Sequence, residues 1–271
     1  MLPSILLALL VSSPSPCLAA SAPPAPALAL AEDEEVQDKR PEIEEKLDRL
    51  KEHVDERGDE DTQAVTLIDE LVIEFKRSGP KDRADIVKGV SKCLEKKRKE
   101  LSEGVPNNLL YVAAATALGE MGPDATEAIS KWIGNKKHRS NRALQRALIL
   151  SLGKTKDVKA VDDLLDLLND KDNTLIAAAA EALGEFGKAP QKVRKEIFND
   201  LLKILVTTKA LADSDINDIP MRDRWDVISA PITTTLQTLT KEKITDPEEW
   251  QRWWNKNKKG DWGDPEEGGE D

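Results

Sequence analysis

Three stretches of this chain repeat one another, and that repetition limits the fold more than any single motif does. Residues 113–122 read Ala-Ala-Ala-Thr-Ala-Leu-Gly-Glu-Met-Gly, residues 146–154 Arg-Ala-Leu-Ile-Leu-Ser-Leu-Gly-Lys, and residues 178–187 Ala-Ala-Ala-Glu-Ala-Leu-Gly-Glu-Phe-Gly. Leu118 and Leu152 are 34 residues apart, and Leu152 and Leu183 are 31 apart, a period that holds two helices and two turns. The small side chains let a neighbouring helix approach closely. The glycine after each leucine is expected to take the left-handed conformation that stops the helix.

A second helix follows each of these. Residues 124–133 place Ala125, Ala128, Ile129 and Trp132 on one face, and residues 158–168 do the same with Val161, Leu164, Leu165 and Leu168. Residues 193–206 carry Ile197, Leu201, Ile204 and Leu205. Spacings of three and four give each helix one apolar stripe. A two-helix unit cannot bury that stripe alone, so consecutive units must stack. No stretch alternates apolar and polar residues as a half-buried strand does. The fold class is therefore all-α, an α-solenoid of about four helical pairs.

This pattern resembles the HEAT repeats, in the short form first described in phycobilin-attachment proteins. Asp170-Lys171-Asp172-Asn173-Thr174-Leu175, followed by the Ala-rich run 178–187, carries the likeness most closely. The likeness covers residues 105–207. The family's Val-Arg pair near the start of the first helix stands here as Leu110-Tyr111, Leu144-Gln145 and Leu175-Ile176. Loss of that arginine is expected to remove a polar ladder between repeats. The resemblance implies a non-catalytic, armadillo-like scaffold for protein binding. A Trp-rich helix after such an array is also similar to exported HEAT-repeat proteins of planctomycete-like bacteria.

Residues 32–104 read as amino-terminal helices and a degenerate capping repeat, with apolar faces over 41–56, 61–77 and 80–103. Residues 208–259 read as capping helices. Within them, 207–222 is broken by polar residues and Pro220, and a helix over 224–241 is interrupted near Pro231. Asp246, Pro247 and Glu249 then mark a helix start. Residues 260–271 are Gly-rich and acidic and read as disordered.

Residues 1–31 contain no Asp, Glu, Lys or Arg, and residues 5–11 form a short apolar run. Small residues and prolines follow, with Cys17-Leu18-Ala19 and Ala29-Leu30-Ala31 as cleavage sites. That is the layout of a secretory signal peptide, and the run is too short to span a bilayer. The expected location is therefore periplasmic or secreted, with no membrane span in the mature chain. The chain carries 51 acidic and 40 basic residues, a net charge of −11, which argues against nucleic acid as the partner. Only Cys93 remains beyond the leader. No internal disulfide is then available, and packing must supply the stability.

Signals for chemistry are weak. His53 and His138 stand far apart without neighbouring ligands, so no metal site and no cofactor are expected. Asp213-Ser214-Asp215-Ile216-Asn217 opens like a calcium loop, but Asp218 stands where the turn glycine belongs and Arg224 where the bidentate carboxylate belongs. No nucleophile elbow or phosphate-binding loop is present. Cys93 falls on an apolar face and reads as a structural thiol. Basic clusters at 96–99 and 136–139 are solvated helix ends or contacts for an anionic partner.

Four of the six tryptophans lie in the last 22 residues. Trp250, Trp253 and Trp254 share one helix face, as a lid over the last repeat or as a binding patch. Tyr111, Gln145 and Arg146 are the polar residues that a groove on the repeats would offer. The reading is a non-catalytic scaffold or adaptor for a protein or peptide. Its alternatives are a lyase-like chaperone that holds a small molecule in a concave groove, and a structural envelope protein. The leader supplies the first test. Amino-terminal sequencing of the native protein should begin between about Ala20 and Glu32, and native protein that starts at Met1 in the cytoplasm would refute export.

Overall fold

The computed structural model describes residues 38–215 and 217–263. The leader and residues 264–271 of the acidic end lie outside the described residues. Among the described residues are eleven α-helices and two short 3-10 turns, and the only extended pairing is one bridge between Ser102 and Val105. The helices are α1 (Pro41–Asp55), α2 (Asp61–Phe75), α3 (Pro80–Lys92), α4 (Leu109–Glu120), α5 (Thr126–Ser130), α6 (Arg142–Lys154), α7 (Ala160–Leu167), α8 (Asn173–Leu183), α9 (Gln191–Ser214), α10 (Ile219–Thr240) and α11 (Pro247–Asn257).

They stack in two rows. Helices α2, α4, α6, α8 and α10 each pack on the next to form the first row, and α3, α5, α7, α9 and α11 form the second. The core runs between the rows, where Leu118, Leu152 and Leu183 are fully buried at matching positions. This is the expected all-α solenoid.

Backbone contact sets the spacing of the first row. A Cβ added at Gly119 would lie 2.9 Å from the Cβ of Ser151 and 3.0 Å from its Cα. At Gly153 it would lie 2.5 Å from the carbonyl oxygen of Ala182. At Gly184 it would meet the Thr235 hydroxyl at 3.1 Å. None of these glycines takes the left-handed conformation expected from the sequence: Gly119 and Gly153 lie inside α4 and α6, and Gly184, where α8 gives way to a 3-10 turn, has φ −63°. The left-handed residues come later, at Gly122 (φ 67°) and Lys156 (φ 54°).

The first row is also one helix longer than the repeats suggest. Thr235 of α10 donates to the Ala180 carbonyl at 2.7 Å, and Ile228, Ile232, Leu236 and Leu239 are fully buried. Helix α10 thus extends the first row to five helices. It runs through Pro231 without interruption and starts earlier than expected, because the Asp218 carboxylate accepts from Met221 N–H at 3.1 Å and Pro220 fits the first turn. The break anticipated over 207–222 shrinks to residues 215–218. Leu205, Thr208 and Ala212 keep the buried stripe of α9 going past Val206.

Two further boundaries differ. Helix α3 ends at Lys92 instead of running to 103, and the chain turns so that the Arg98 side chain, 1% exposed, meets Asp61 at 3.2 Å. Arg98 also donates to the Val54 carbonyl at 2.8 Å, and Asn107 donates to Asp61 at 3.2 Å. This buried pair ties α1 and α2 to the loop that leads into α4. The helix expected over 124–133 is a 3-10 turn, Gly122–Ala125, followed by the short α5.

Helix α1 lies across α2 and α3 and closes this end of the array. Arg40 bridges Glu74 at 3.0 Å and Asp82 at 3.4 Å, while Asp38 accepts from Asp82 N–H at 2.9 Å at the first turn of α3.

The first-row contacts predict an inverted effect of glycine replacement. Gly→Ala within a helix ordinarily stabilises by about 1 kcal/mol. Gly153→Ala should instead destabilise by about 1–3 kcal/mol, since the methyl group meets backbone that cannot move aside. Gly260→Ala, whose Cβ would sit 3.4 Å from the nearest atom, the carbonyl oxygen of Asn257, should be neutral. Equal urea midpoints for the two variants would refute this account of the row.

Candidate functional site

The outer face of the first row is lined by small or half-buried side chains, because large ones would block the close helix approach. Two clefts cross it. One, of about 340 Å³, is walled by Val112, Thr116, Ala147 and Leu150. The other, of about 690 Å³, is walled by Ala230, Pro231, Thr234 and Thr238. Glu181 and Glu185 border both, so the two clefts adjoin and together make a groove that spans four consecutive first-row helices. Lys154, Lys156, Lys188 and Lys241 line it as well.

Polar contacts hold the helices beneath this groove in register. Arg142 pairs with Asp172 at 2.9 Å, Arg146 with Glu181 at 3.0 Å and Lys156 with Glu185 at 3.7 Å. At the helix starts, Asn141 donates to the Asn108 side chain at 2.6 Å and Arg224 to Asn173 at 3.3 Å. A polar ladder between repeats is therefore present, built from different residues than the family pattern uses, which corrects the sequence expectation. Asp172 also caps α8. The Thr174 hydroxyl, the Thr174 N–H and Arg142 together hold its carboxyl below the usual range, against the opposing effect of burial.

The polar residues singled out in the sequence separate. Tyr111 is buried, donating to the Lys96 carbonyl at 2.8 Å and accepting from Arg98 N–H at 3.2 Å. Gln145 is buried, accepting from Gly134 N–H at 2.7 Å and donating to the Trp132 carbonyl at 3.3 Å. Arg146 is exposed and, through Glu181, stands at the groove. The lysines at the groove went unnoticed in the sequence, although Lys154 and Lys188 each follow a glycine.

The tryptophans do converge. Phe198 of α9 lies 5.5, 5.3, 5.0 and 5.4 Å, ring to ring, from Trp250, Trp253, Trp254 and Trp262. Trp250 is completely buried, and Trp253 and Trp254 are half-buried. Asp246 caps α11 by accepting from Glu249 N–H at 2.9 Å. Residues 260–263 then fold back along α9, where Arg194 donates to the Gly263 carbonyl at 2.7 Å and Gln191 accepts from Trp262 N–H at 2.7 Å. This is how a terminal lid is built, and it docks on α9.

Two other clefts have walls tied together by the protein's own contacts. The space between α1 and α3 has charged walls that answer one another, Lys39 with Asp85 at 3.2 Å and Lys96 with Asp55 at 3.0 Å. The cleft beside Tyr111 brings the two basic clusters together, since His138 bonds the Leu94 carbonyl at 2.7 Å and Lys137 the Glu95 carbonyl at 3.4 Å. Beneath it, burial raises the pKa of Asp61 despite Arg98, and burial pushes the Cys93 thiol up to about 12, leaving it a poor nucleophile.

The lid yields a test of its own. Trp250→Ala should cost about 3–5 kcal/mol, and removal of residues 246–271 should lower the melting temperature and expose apolar surface on α9. A truncated chain as stable as the full one would show that the aromatic cluster does not serve as a lid.

The geometry agrees with comparison to known proteins. The profile of the HEAT repeats matches residues 99–184 and again residues 137–203. No curated protein and no solved structure matches the chain. Across residues 99–203 the stacked helical pairs are HEAT repeats.

Proposed function

We propose that this chain is a non-catalytic scaffold that holds a protein or peptide partner outside the cytoplasm. The groove across α4, α6, α8 and α10 carries the reading. It spans four helices as two adjoining clefts, its walls are small and weakly polar, and its width is fixed by backbone contacts that leave little to reorganise on binding. Such pre-organisation lowers the entropic cost of association. HEAT repeats as a class are helical scaffolds that often mediate protein interactions, and three of the four helices at the groove, α4, α6 and α8, lie in the part of the chain that the family profile covers. The uncharged leader with its apolar run and small-residue cleavage sites supports the location. No observation favours small-molecule handling, because Tyr111 and Gln145 spend their polar groups inside the protein.

Site-specific photo-crosslinking in the native host tests this. A crosslinker at Ala147 or Thr234, in the groove, should capture one discrete partner. The same group at Glu127 or Lys203, exposed on the second row, should not. Capture from the second row alone, or from neither face, would overturn the assignment.

A further inference from the structure

The groove's charge runs against that of the chain. The chain as a whole carries −11, yet the groove is bordered by four lysines and two glutamates. Both glutamates are already neutralised, Glu181 by Arg146 at 3.0 Å and Glu185 by Lys156 at 3.7 Å. Among the described residues, Lys154, Lys188 and Lys241 have no acidic group within ion-pair reach. Lysines at helix ends are often explained by the helix dipole. That explanation applies equally to Lys92 and Lys256 at the ends of α3 and α11 in the second row, and it does not account for three lysines on one groove that are unpaired among the described residues. The free lysines close three consecutive units of the first row: Lys154 ends α6, Lys188 ends the 3-10 turn after α8, and Lys241 caps α10.

Resting on the scaffold reading above, we infer that the groove takes an extended, acidic segment of the partner, with its carboxylates spaced along Lys154, Lys188 and Lys241. Small walls leave room for a peptide backbone, and the row of positive charge sets the register of its side chains. Charge of this kind contributes mostly to encounter rate and orientation, so binding should depend strongly on salt.

The probe is a fluorescent peptide of alternating Glu and Gly, compared with its Gln counterpart, titrated against the full chain. The Glu peptide should bind, the Gln peptide should bind far more weakly, and added salt should release the first. Lys154→Gln, Lys188→Gln and Lys241→Gln combined should weaken binding about tenfold, as expected for three exposed pairs, with the melting temperature unchanged. Lys192→Gln with Lys203→Gln on the second row should leave it unaltered. Equal binding of Glu and Gln peptides, or no loss in the triple variant, would overturn the inference.

Two other results would also overturn it: a single-stranded oligonucleotide bound as tightly through the same lysines, or peptide binding that appears only after residues 264–271 are removed. The second would give the groove to the chain's own acidic end, which contains five carboxylate residues. Failure with the peptide while crosslinkers in the groove still capture a partner would sink only this inference. Failure of both would sink the scaffold reading as well.

Discussion

The array depends on the absence of a methyl group at a few positions. Where Gly119 faces Ser151 and Gly153 faces Ala182, one helix backbone rests on the next, and the remaining first-row geometry follows from that spacing. It decides how deeply Leu118, Leu152 and Leu183 reach between the rows. It keeps the outer face shallow and brings Arg142 and Arg146 within reach of Asp172 and Glu181. Hydrophobic burial provides most of the stability, as it must in a chain whose one described thiol, Cys93, is unpaired. Burial alone would tolerate several helix spacings, and the glycine contacts select one.

The two ends of the array are sealed by unlike chemistry. At the amino-terminal end the solution is ionic: Arg40 is spread over Glu74 and Asp82, and Arg98 is buried against Asp61. Buried pairs of this sort contribute little net stability but penalise misplacement heavily, because one charge without the other is costly inside a protein. At the other end the solution is aromatic, four tryptophans around Phe198. The first device fixes orientation by hydrogen-bond geometry, while the second covers a large apolar area that α9 would otherwise expose.

Much of this was legible in the sequence, and the failures share a cause. The alanine runs and the Leu-Gly spacing located the repeats because core positions recur whenever the fold recurs. The same glycines were assigned the wrong role, since a glycine near a helix end reads alike whether it frees the backbone torsion or clears space for a neighbour. Helix α10 escaped recognition as a first-row member because Thr235 does there what serine or alanine does elsewhere, and Pro220 resembled a breaker when it was a first-turn residue. The groove itself could not be read linearly. Its lysines come from segments dozens of residues apart, and only stacking places them on one border.

The recurrence of one kind of contact on both sides of the α6–α7 unit also bears on how such a chain changes over time. Glycine of one unit meets a small residue of the next on entering and on leaving that unit, so a duplicated copy could be spliced between its neighbours without new interface chemistry, whereas neither sealed end could be copied in that way. Growth of the array is therefore quantised in whole helical pairs and confined to its interior, and each added pair would lengthen the groove by one further step.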